Sequence, residues 1–570
     1  MRFKKILASN LPLFIIFVVS VTILIIKTCY LIKDYRFMPF GFDSPRIIGY
    51  TQQLLQFKTL DPDASYRYGL PLFAGFFVKT LSLLPSQTFI IPLWVINVGR
   101  GLLLTLTAWY LTKNKRVAVL SLALYSSYAE GALVNDSYFM NLVIAPLRLL
   151  FLFIFTNPYL KAWQKSLTLL IYSFLVIYGN LTYPIISLPI DVITIVYIFY
   201  LLINTVYLRK RFVLIILIQL VAYALIFGIY RQGVGHPIPI NKYFEYIYAL
   251  NFLGLNHWLV AKTVLNFVAF EILILILLII NPKLFRERKI YLFKLLWLRS
   301  IIFRIWQNLN KFLVGIGIAV FLLNGINQLA LPLDIFSSFL SLPGINLVSN
   351  WWIVALILGI SEVGKKTSQR QLPFKFMFLI LSGYIILYLL FSEDMVMKII
   401  RNKRFVVFFL PYIFIIFSFG LLRLKESLFL TLSSLFIILS LVSSWREIKR
   451  YFQLPARQST LKAMDWFSKQ PDHTNVLFYA TYSIAPNLAG HEKYYGLYFS
   501  SSQIPYKDQR LLGKCFEREK ICTQNYVDYI NKNKVKYLVL EYGQGNYIFE
   551  SLSQLGEVIY DSGVRIVKIL

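Results

Sequence analysis

The stretch Leu11-Pro12-Leu13-Phe14-Ile15-Ile16-Phe17-Val18-Val19-Ser20-Val21-Thr22-Ile23-Leu24-Ile25-Ile26 contains no charged residue. It is preceded by Arg2, Lys4 and Lys5 and followed by Lys27. It is too long for the apolar core of a secretory signal, and Lys27-Thr28-Cys29-Tyr30 offers no small-residue cleavage site. It therefore reads as a retained first membrane span with its N-terminus on the cytoplasmic side, where Lys and Arg are held back. Runs of this kind recur along the chain. Hydrophobic residues make up 58% of the 570, the mean hydropathy is +0.63 and only 15% are charged, too little polar surface for a soluble protein of this size.

The charges gather between the apolar runs, and their sign sets the topology. The balance of 58 basic and 27 acidic residues gives a net charge of +31. On a soluble scaffold that excess would suggest nucleic acid; here it is the excess expected of cytoplasmic loops. After the first span comes a long outer loop, residues 28–87, in which Leu70 to Leu84 reads as an interfacial or re-entrant helix. Thr88 to Leu111 then returns to Lys113, Lys115 and Arg116. Val117 to Val134 goes out and Leu142 to Phe155 returns to Lys161 and Lys165. Leu167 to Tyr178 goes out, Ile185 to Val206 returns to Arg209, Lys210 and Arg211, and Phe212 to Ile229 goes out. Val264 to Ile280 returns to a strongly basic loop that includes Lys283, Arg286 and Arg288. Phe312 to Leu331, Trp351 to Ile360, Phe376 to Phe391, Phe405 to Leu422 and Leu428 to Val442 complete about thirteen spans. One cluster breaks the rule, Arg401-Asn402-Lys403-Arg404, which parity places outside.

From about Trp445 the composition changes. Val476-Leu477-Phe478-Tyr479, Tyr537-Leu538-Val539-Leu540, Val558-Ile559-Tyr560 and Val564-Arg565-Ile566-Val567 read as strands, with Asp561-Ser562-Gly563 as a hairpin turn. Leu461 to Ser468 and Tyr526 to Asn531 have helical spacing. The expected architecture is mainly α: a polytopic transmembrane helical bundle over 1–445 and a small extracytoplasmic α/β domain over 446–570. Cys515 and Cys522 fall in that domain. An oxidising compartment allows a disulfide between them, and two free thiols are the alternative.

Three places hold candidate chemistry. Asp43, in Pro39-Phe40-Gly41-Phe42-Asp43-Ser44-Pro45-Arg46, fits the cap of a helix starting at Pro45, the commoner role for such spacing, and also a general base for an acceptor hydroxyl. Asp136 follows the third span and fits a second functional carboxylate or a solvated loop residue. Arg401, Lys403 and Arg404 fit a site for an anionic lipid phosphate, or a short loop whose charges snorkel. Asp191 and Glu271 fall inside apolar runs, where ionisable groups are costly and mark pathways or structural partners of a basic side chain. His236, His257, His473 and His491 lack metal spacing, and no phosphate-cradling glycine loop occurs, which argues against an ATP-driven pump.

In order and topology these pieces resemble the GT-C membrane glycosyltransferases, which take sugars from polyprenyl-phosphate or polyprenyl-diphosphate carriers. Gly41-Phe42-Asp43-Ser44 resembles the first-loop aspartate motif of that superfamily. Asn135-Asp136-Ser137-Tyr138-Phe139-Met140-Asn141 is similar to its Asp-x-x-x-Arg-Asn segment, with Met140 in place of Arg. Lys403-Arg404-Phe405, followed by Leu410-Pro411, resembles an Arg-Tyr…Leu-Pro segment, with Phe405 in place of Tyr. Ser44 stands where the protein mannosyltransferase branch has Glu, and Trp351-Trp352-Ile353 departs from the Trp-Trp-Asp of oligosaccharyltransferases.

The resemblance implies an inverting transferase of the broad bacterial type, multi-pass in the plasma membrane and serving the cell envelope. Asp43 would be its base and Asp136 would orient the acceptor or bind a cation. Arg401, Lys403 and Arg404 would hold the carrier phosphate. Its partners would be a polyprenyl-phosphate-linked sugar, a glycan, lipid or protein acceptor, and membrane lipids, with no nucleic acid. Any divalent metal would be Mg or Mn, which oxygen donors suit. A transporter or flippase of lipid-linked sugars would share the basic groove without needing Asp43, and a non-catalytic scaffold would need none of these residues. The charge parity predicts that a reporter fused after Leu570 registers the extracytoplasmic side and one after Lys115 the cytoplasm; a cytoplasmic signal from the first changes the span count by one.

Overall fold

The computed structural model describes, in the main, residues 2–35, 69–83, 90–127, 139–182, 184–204, 209–233, 268–276, 372–381, 403–422, 476–479, 494–496, 527–541 and 553–569. Nearly all of this up to residue 422 is helix, and the strands among the described residues all lie at the C-terminal end. The spans expected over 312–331, 351–360 and 428–442 fall wholly or almost wholly outside the described residues.

The first expected span is α1, Arg2–Tyr35. The apolar run in the long outer loop is helical, as the sequence predicts, and forms α2, Gly69–Leu81. The next span is built in three pieces: α3 (Ile90–Trp94), a π-helical turn (Val95–Gly99) and α4 (Arg100–Thr112). After it come α5 (Lys115–Ser127), a second π-helical turn (Met140–Ile144) and α6 (Ala145–Phe155). The helices α7 (Ala162–Thr182), α8 (Pro184–Asn204) and α9 (Arg209–Gly233) follow, and α10 is Lys403–Leu421. Leu11–Cys29, Ile91–Thr112 and Ala162–Thr182 are long and apolar enough to cross a bilayer. Phe14, Ile15, Val18, Val19 and Ile26 of α1, and Trp163, Leu167, Leu170 and Phe174 of α7, are exposed. Large apolar side chains bared in stripes of this kind make a lipid-facing surface. The chain is a membrane protein.

Local chemistry sets where the helices stop. Lys113 takes the left-handed conformation, φ 55°, and its N–H closes on the Trp109 carbonyl at 2.8 Å, ending α4. Asn114 then caps α5: its Oδ1 accepts the Arg116 N–H at 2.9 Å. Two residues thus turn the chain back, with Lys113, Lys115 and Arg116 grouped at the turn. At the end of α6, Arg211 Nη1 donates to the carbonyls of Phe155 and Asn157 at 2.9 and 2.8 Å. Those carbonyls are among the groups that a helix end leaves without intrahelical partners.

The core of the bundle forms where α5 packs between α1, α4 and α10. Gly101 permits this. A Cβ there would meet Leu24 Cδ1 at 2.6 Å, Leu122 Cδ1 at 3.1 Å and Tyr125 Cδ1 at 3.2 Å. Inside the same packing, Ser121 Oγ donates to Ser418 Oγ at 3.1 Å, fixing α10 against α5.

The C-terminal strands form one mixed sheet. They are β1 (Val476–Tyr479), β2 (Tyr494–Gly496), β3 (Tyr537–Glu541), β4 (Gly556–Asp561) and β5 (Val564–Ile569), in the order β2-β1-β3-β5-β4. Strand β1 runs parallel to β2 and β3, while β5 is antiparallel to β3 and β4. The four expected strands are present, and β4 and β5 pair antiparallel as the expected hairpin. The short β2 has only three residues and no alternation to announce it. Tyr537, Val539, Val564 and Ile566 pack on Ala463, with Trp466 and Tyr560 beside them.

Gly101→Val inserts side-chain volume into this packing, a change that costs about 1–3 kcal/mol in a filled core. Its unfolding temperature in detergent should fall below that of Leu102→Val, a substitution at a residue 38% exposed; equal temperatures would remove Gly101 as the close-approach point.

Candidate functional site

The two π-helical turns and a proline surround a narrow crevice within the bundle. In the first turn the Arg100 N–H reaches back five residues to the Val95 carbonyl and also to Asn97. The Ile96 carbonyl, which Arg100 would serve in a regular α-helix, instead accepts the Tyr125 hydroxyl at 2.6 Å. The guanidinium of Arg100, 2% exposed, lies 5.1 Å from the centre of the Tyr125 ring. In the second turn the Ala145 N–H bonds the Met140 carbonyl, and Pro146 has no N–H to offer Leu142. Pro411 interrupts α10 in the same way. Arg100, Thr107, Leu142, Pro146, Pro411 and Tyr412 line the crevice, which is barely wide enough for a water molecule. Such π-turns are rare and concentrate at functional sites.

Contacts near the helix ends tie neighbouring helices together. Lys27 Nζ donates to the Ser126 carbonyl at 2.5 Å, joining the late part of α1 to the end of α5. The Tyr178 hydroxyl donates to the Gly69 carbonyl at 2.9 Å, joining the start of α2 to the end of α7. The Phe73 and Phe139 rings meet at a tilt, 5.4 Å between centres, so α2 also meets the start of the second π-turn. The Ser121–Ser418 hydrogen bond ties α10 to the middle of α5. Every one of these ends is an outer end by the charge parity. The opposite end of the bundle gathers Phe155, Asn157 and Arg211. By the rise of an α-helix, the crevice residues Arg100 and Pro411 lie roughly 12–15 Å inward from Ile90 and Lys403.

Asp43, Asp136, Arg401, Cys515 and Cys522 lie outside the described residues. Lys403 and Arg404 open α10, with only their backbone described. Cys29 is a free, exposed thiol.

Midway along the helices lies a polar cluster. Arg148 of α6 forms an ion pair with Asp191 of α8, both at zero exposure. Arg148 Nη1 donates to Ser187 Oγ at 3.1 Å, and the guanidinium stands 6.0 Å from the centre of the Tyr172 ring. The Asp191 carboxylate accepts Gln219 Nε2–H at 2.9 Å on one oxygen and the Tyr223 hydroxyl at 2.5 Å on the other. Asp191 is therefore the structural partner of a basic side chain, one of the two roles open to it. Sequence reading passed over Arg100 and Arg148. The signal was available: each is a lone arginine inside an apolar run, and such a charge needs a partner or a pathway. Among the described residues no group of three or more His, Cys, Asp or Glu is placed to hold a metal ion.

No family model matches the sequence, and no curated protein matches it. Solved structures do. The oligosaccharyltransferase of Archaeoglobus fulgidus in its apo form is similar at 11% identity, over 92% of this chain and 69% of that one, with a TM-score of 0.49. The same enzyme tethered to an acceptor peptide gives 13% identity, 92% and 69% coverage, and a TM-score of 0.46. ArnT from Cupriavidus metallidurans bound to undecaprenyl phosphate gives 12% identity, 98% coverage of both chains and a TM-score of 0.42.

The ion pair makes a direct prediction. Arg148→Met strands a buried carboxylate and should cost about 3–5 kcal/mol, whereas replacing both partners with apolar residues, Arg148→Met with Asp191→Leu, should recover most of that loss. Unfolding temperatures of the purified variants test it; a double variant as unstable as the single one removes the pairing argument.

Proposed function

We propose that this protein is a GT-C-type membrane glycosyltransferase that moves a sugar from a polyprenyl-phosphate carrier to an acceptor on the extracytoplasmic side. The observation that supports this most is the gathering of helix ends. The chain leaves α1 and re-enters at Gly69, leaves α5 and re-enters at Phe139, and enters α10 at Lys403. The contacts Lys27–Ser126, Tyr178–Gly69 and Phe73–Phe139 are in keeping with a common end of the bundle for these entries and exits. The three sequence pieces that resemble the superfamily belong to these connections. A carboxylate base, a second carboxylate and a basic cluster at one end of a bundle are the groups that such a transfer needs.

In the proposed reaction the acceptor hydroxyl oxygen attacks the anomeric carbon of the donor sugar. The bond from that carbon to the carrier phosphate oxygen breaks, and the configuration inverts. The hydroxyl proton passes to the Asp43 carboxylate, in keeping with general-base catalysis. The released phosphate takes the bonding electron pair, and Arg401, Lys403 and Arg404 supply positive charge where the negative charge grows. Asp136 orients the acceptor or holds a divalent cation, for which its oxygen donors favour Mg or Mn. The sheet-containing region, 446–570, is the extracytoplasmic domain in this reading.

Asp43→Asn tests the assignment. The substitution keeps the shape and the capping ability of the residue, since Asn and Asp cap helices about equally well. A base role predicts a loss of roughly 100- to 10,000-fold in turnover with carrier binding retained. The measurement uses purified protein and labelled polyprenyl-phosphate sugars. Arg404→Ala should instead weaken donor binding as well as rate, with partial recovery in Arg404→Lys. Near-normal turnover in Asp43→Asn would overturn the base assignment. Carrier binding without turnover in the wild type, over a range of donors and acceptors, would favour a lipid-linked sugar transporter.

A further inference from the structure

The cluster midway along the bundle contains one carboxylate more than it has guanidinium to match. Arg148 is a permanent cation. Asp191 is fully engaged, with Arg148, Gln219 and Tyr223 around its two oxygens. A second carboxylate, Glu271, stands on the helical segment 268–276 at zero exposure. It is within electrostatic reach of both Arg148 and Tyr172. Among the described residues no donor meets either oxygen of Glu271, and Gln219 Oε1 also lacks one.

Among the described residues, the elements packed here otherwise bring only neutral groups and the pair already named. Tyr172 comes from α7, Ser187, Asp191 and Thr194 from α8, and Gln219 and Tyr223 from α9. With both carboxylates ionised the formal charge of these described groups is −1. An uncompensated charge out of water is strongly disfavoured, and buried acceptors without donors carry their own penalty. A divalent ion would turn −1 into +1, so charge balance selects a monovalent one.

From this we infer that the cluster binds one monovalent cation, a proton or a sodium ion, at the Glu271 carboxylate. The bound cation completes the charge balance of these described groups and ties segment 268–276 to the Arg148–Asp191 cluster. The site stands apart from the transferase reading and owes nothing to it.

Thermal unfolding of the full-length protein in nonionic detergent tests the site. Wild type is compared with Glu271→Gln, which keeps the shape and removes the charge. Sodium, potassium and choline chlorides are used at matched ionic strength, and the pH is varied at fixed salt. A cation present at 100 times its dissociation constant raises the folded-to-unfolded ratio about 100-fold. If sodium is the ligand, wild type gains stability in sodium over choline. If the ligand is a proton, the folded state binds more protons than the unfolded one. Wild type then loses stability relative to Glu271→Gln as pH rises, whatever the salt. In both cases Glu271→Gln removes the response, and Glu271→Ala replaces it should the glutamine variant not fold. Wild-type midpoints that track those of the Glu271 variant at every salt and pH would overturn the proposal.

Discussion

Inside the hydrocarbon layer, polar groups have no water to turn to, so each must be met by the protein itself. The packing of the bundle follows from this constraint. Serines and threonines along the helices fold their hydroxyls back onto carbonyls four residues earlier, as Thr28 does on Leu24 at 2.8 Å and Thr107 on Leu103 at 2.8 Å. Where a helix ends or loosens, a side chain from a neighbouring span supplies the missing partner. Arg211 serves the carbonyls of Phe155 and Asn157, and Tyr125 serves Ile96. These contacts join spans that are distant in sequence, so satisfying the backbone also orders the helices.

The same constraint explains why irregular backbone gathers around the crevice. A π-turn or an internal proline leaves a carbonyl without its usual N–H, a cost that is tolerated in a membrane where neighbouring protein compensates. The turn at Val95–Gly99, the turn at Met140–Ile144 and Pro411 all adjoin the crevice lined by Arg100. Gly101, one residue beyond Arg100, lets α1, α4 and α5 approach closely enough for Tyr125 to reach both the Ile96 carbonyl and the Arg100 guanidinium. Local distortion and close packing thus depend on each other at this level of the bundle.

The Arg148–Asp191 pair shows the constraint at its most demanding. Two charges withdrawn from solvent repay their desolvation only with good geometry and further hydrogen bonds. Ser187, Gln219 and Tyr223 supply those bonds from α8 and α9. The outcome is a polar tie among α6, α8 and α9 in the midst of leucine, isoleucine and phenylalanine. A pairing this specific favours one register of the three helices over its neighbours, since sliding any of them by a turn would strand a charge.

Much of the architecture was legible in the residues alone. Apolar runs of span length and the positions of Lys and Arg identify a membrane bundle, because hydrocarbon thickness and charge retention act directly on composition. The return at Lys113, Lys115 and Arg116, the helix in the apolar run from Leu70 and the β4–β5 hairpin were also readable, since charge placement, apolar runs and turn residues are local signals. Tertiary structure alone decided which charges meet. No spacing rule ties Arg148 to Asp191 or Tyr125 to Ile96, and nothing in the run Ile90–Thr112 announces a π-turn before Arg100. Those features arise from how separate spans pack, and packing brings together residues whose separation along the chain carries no trace of their contact.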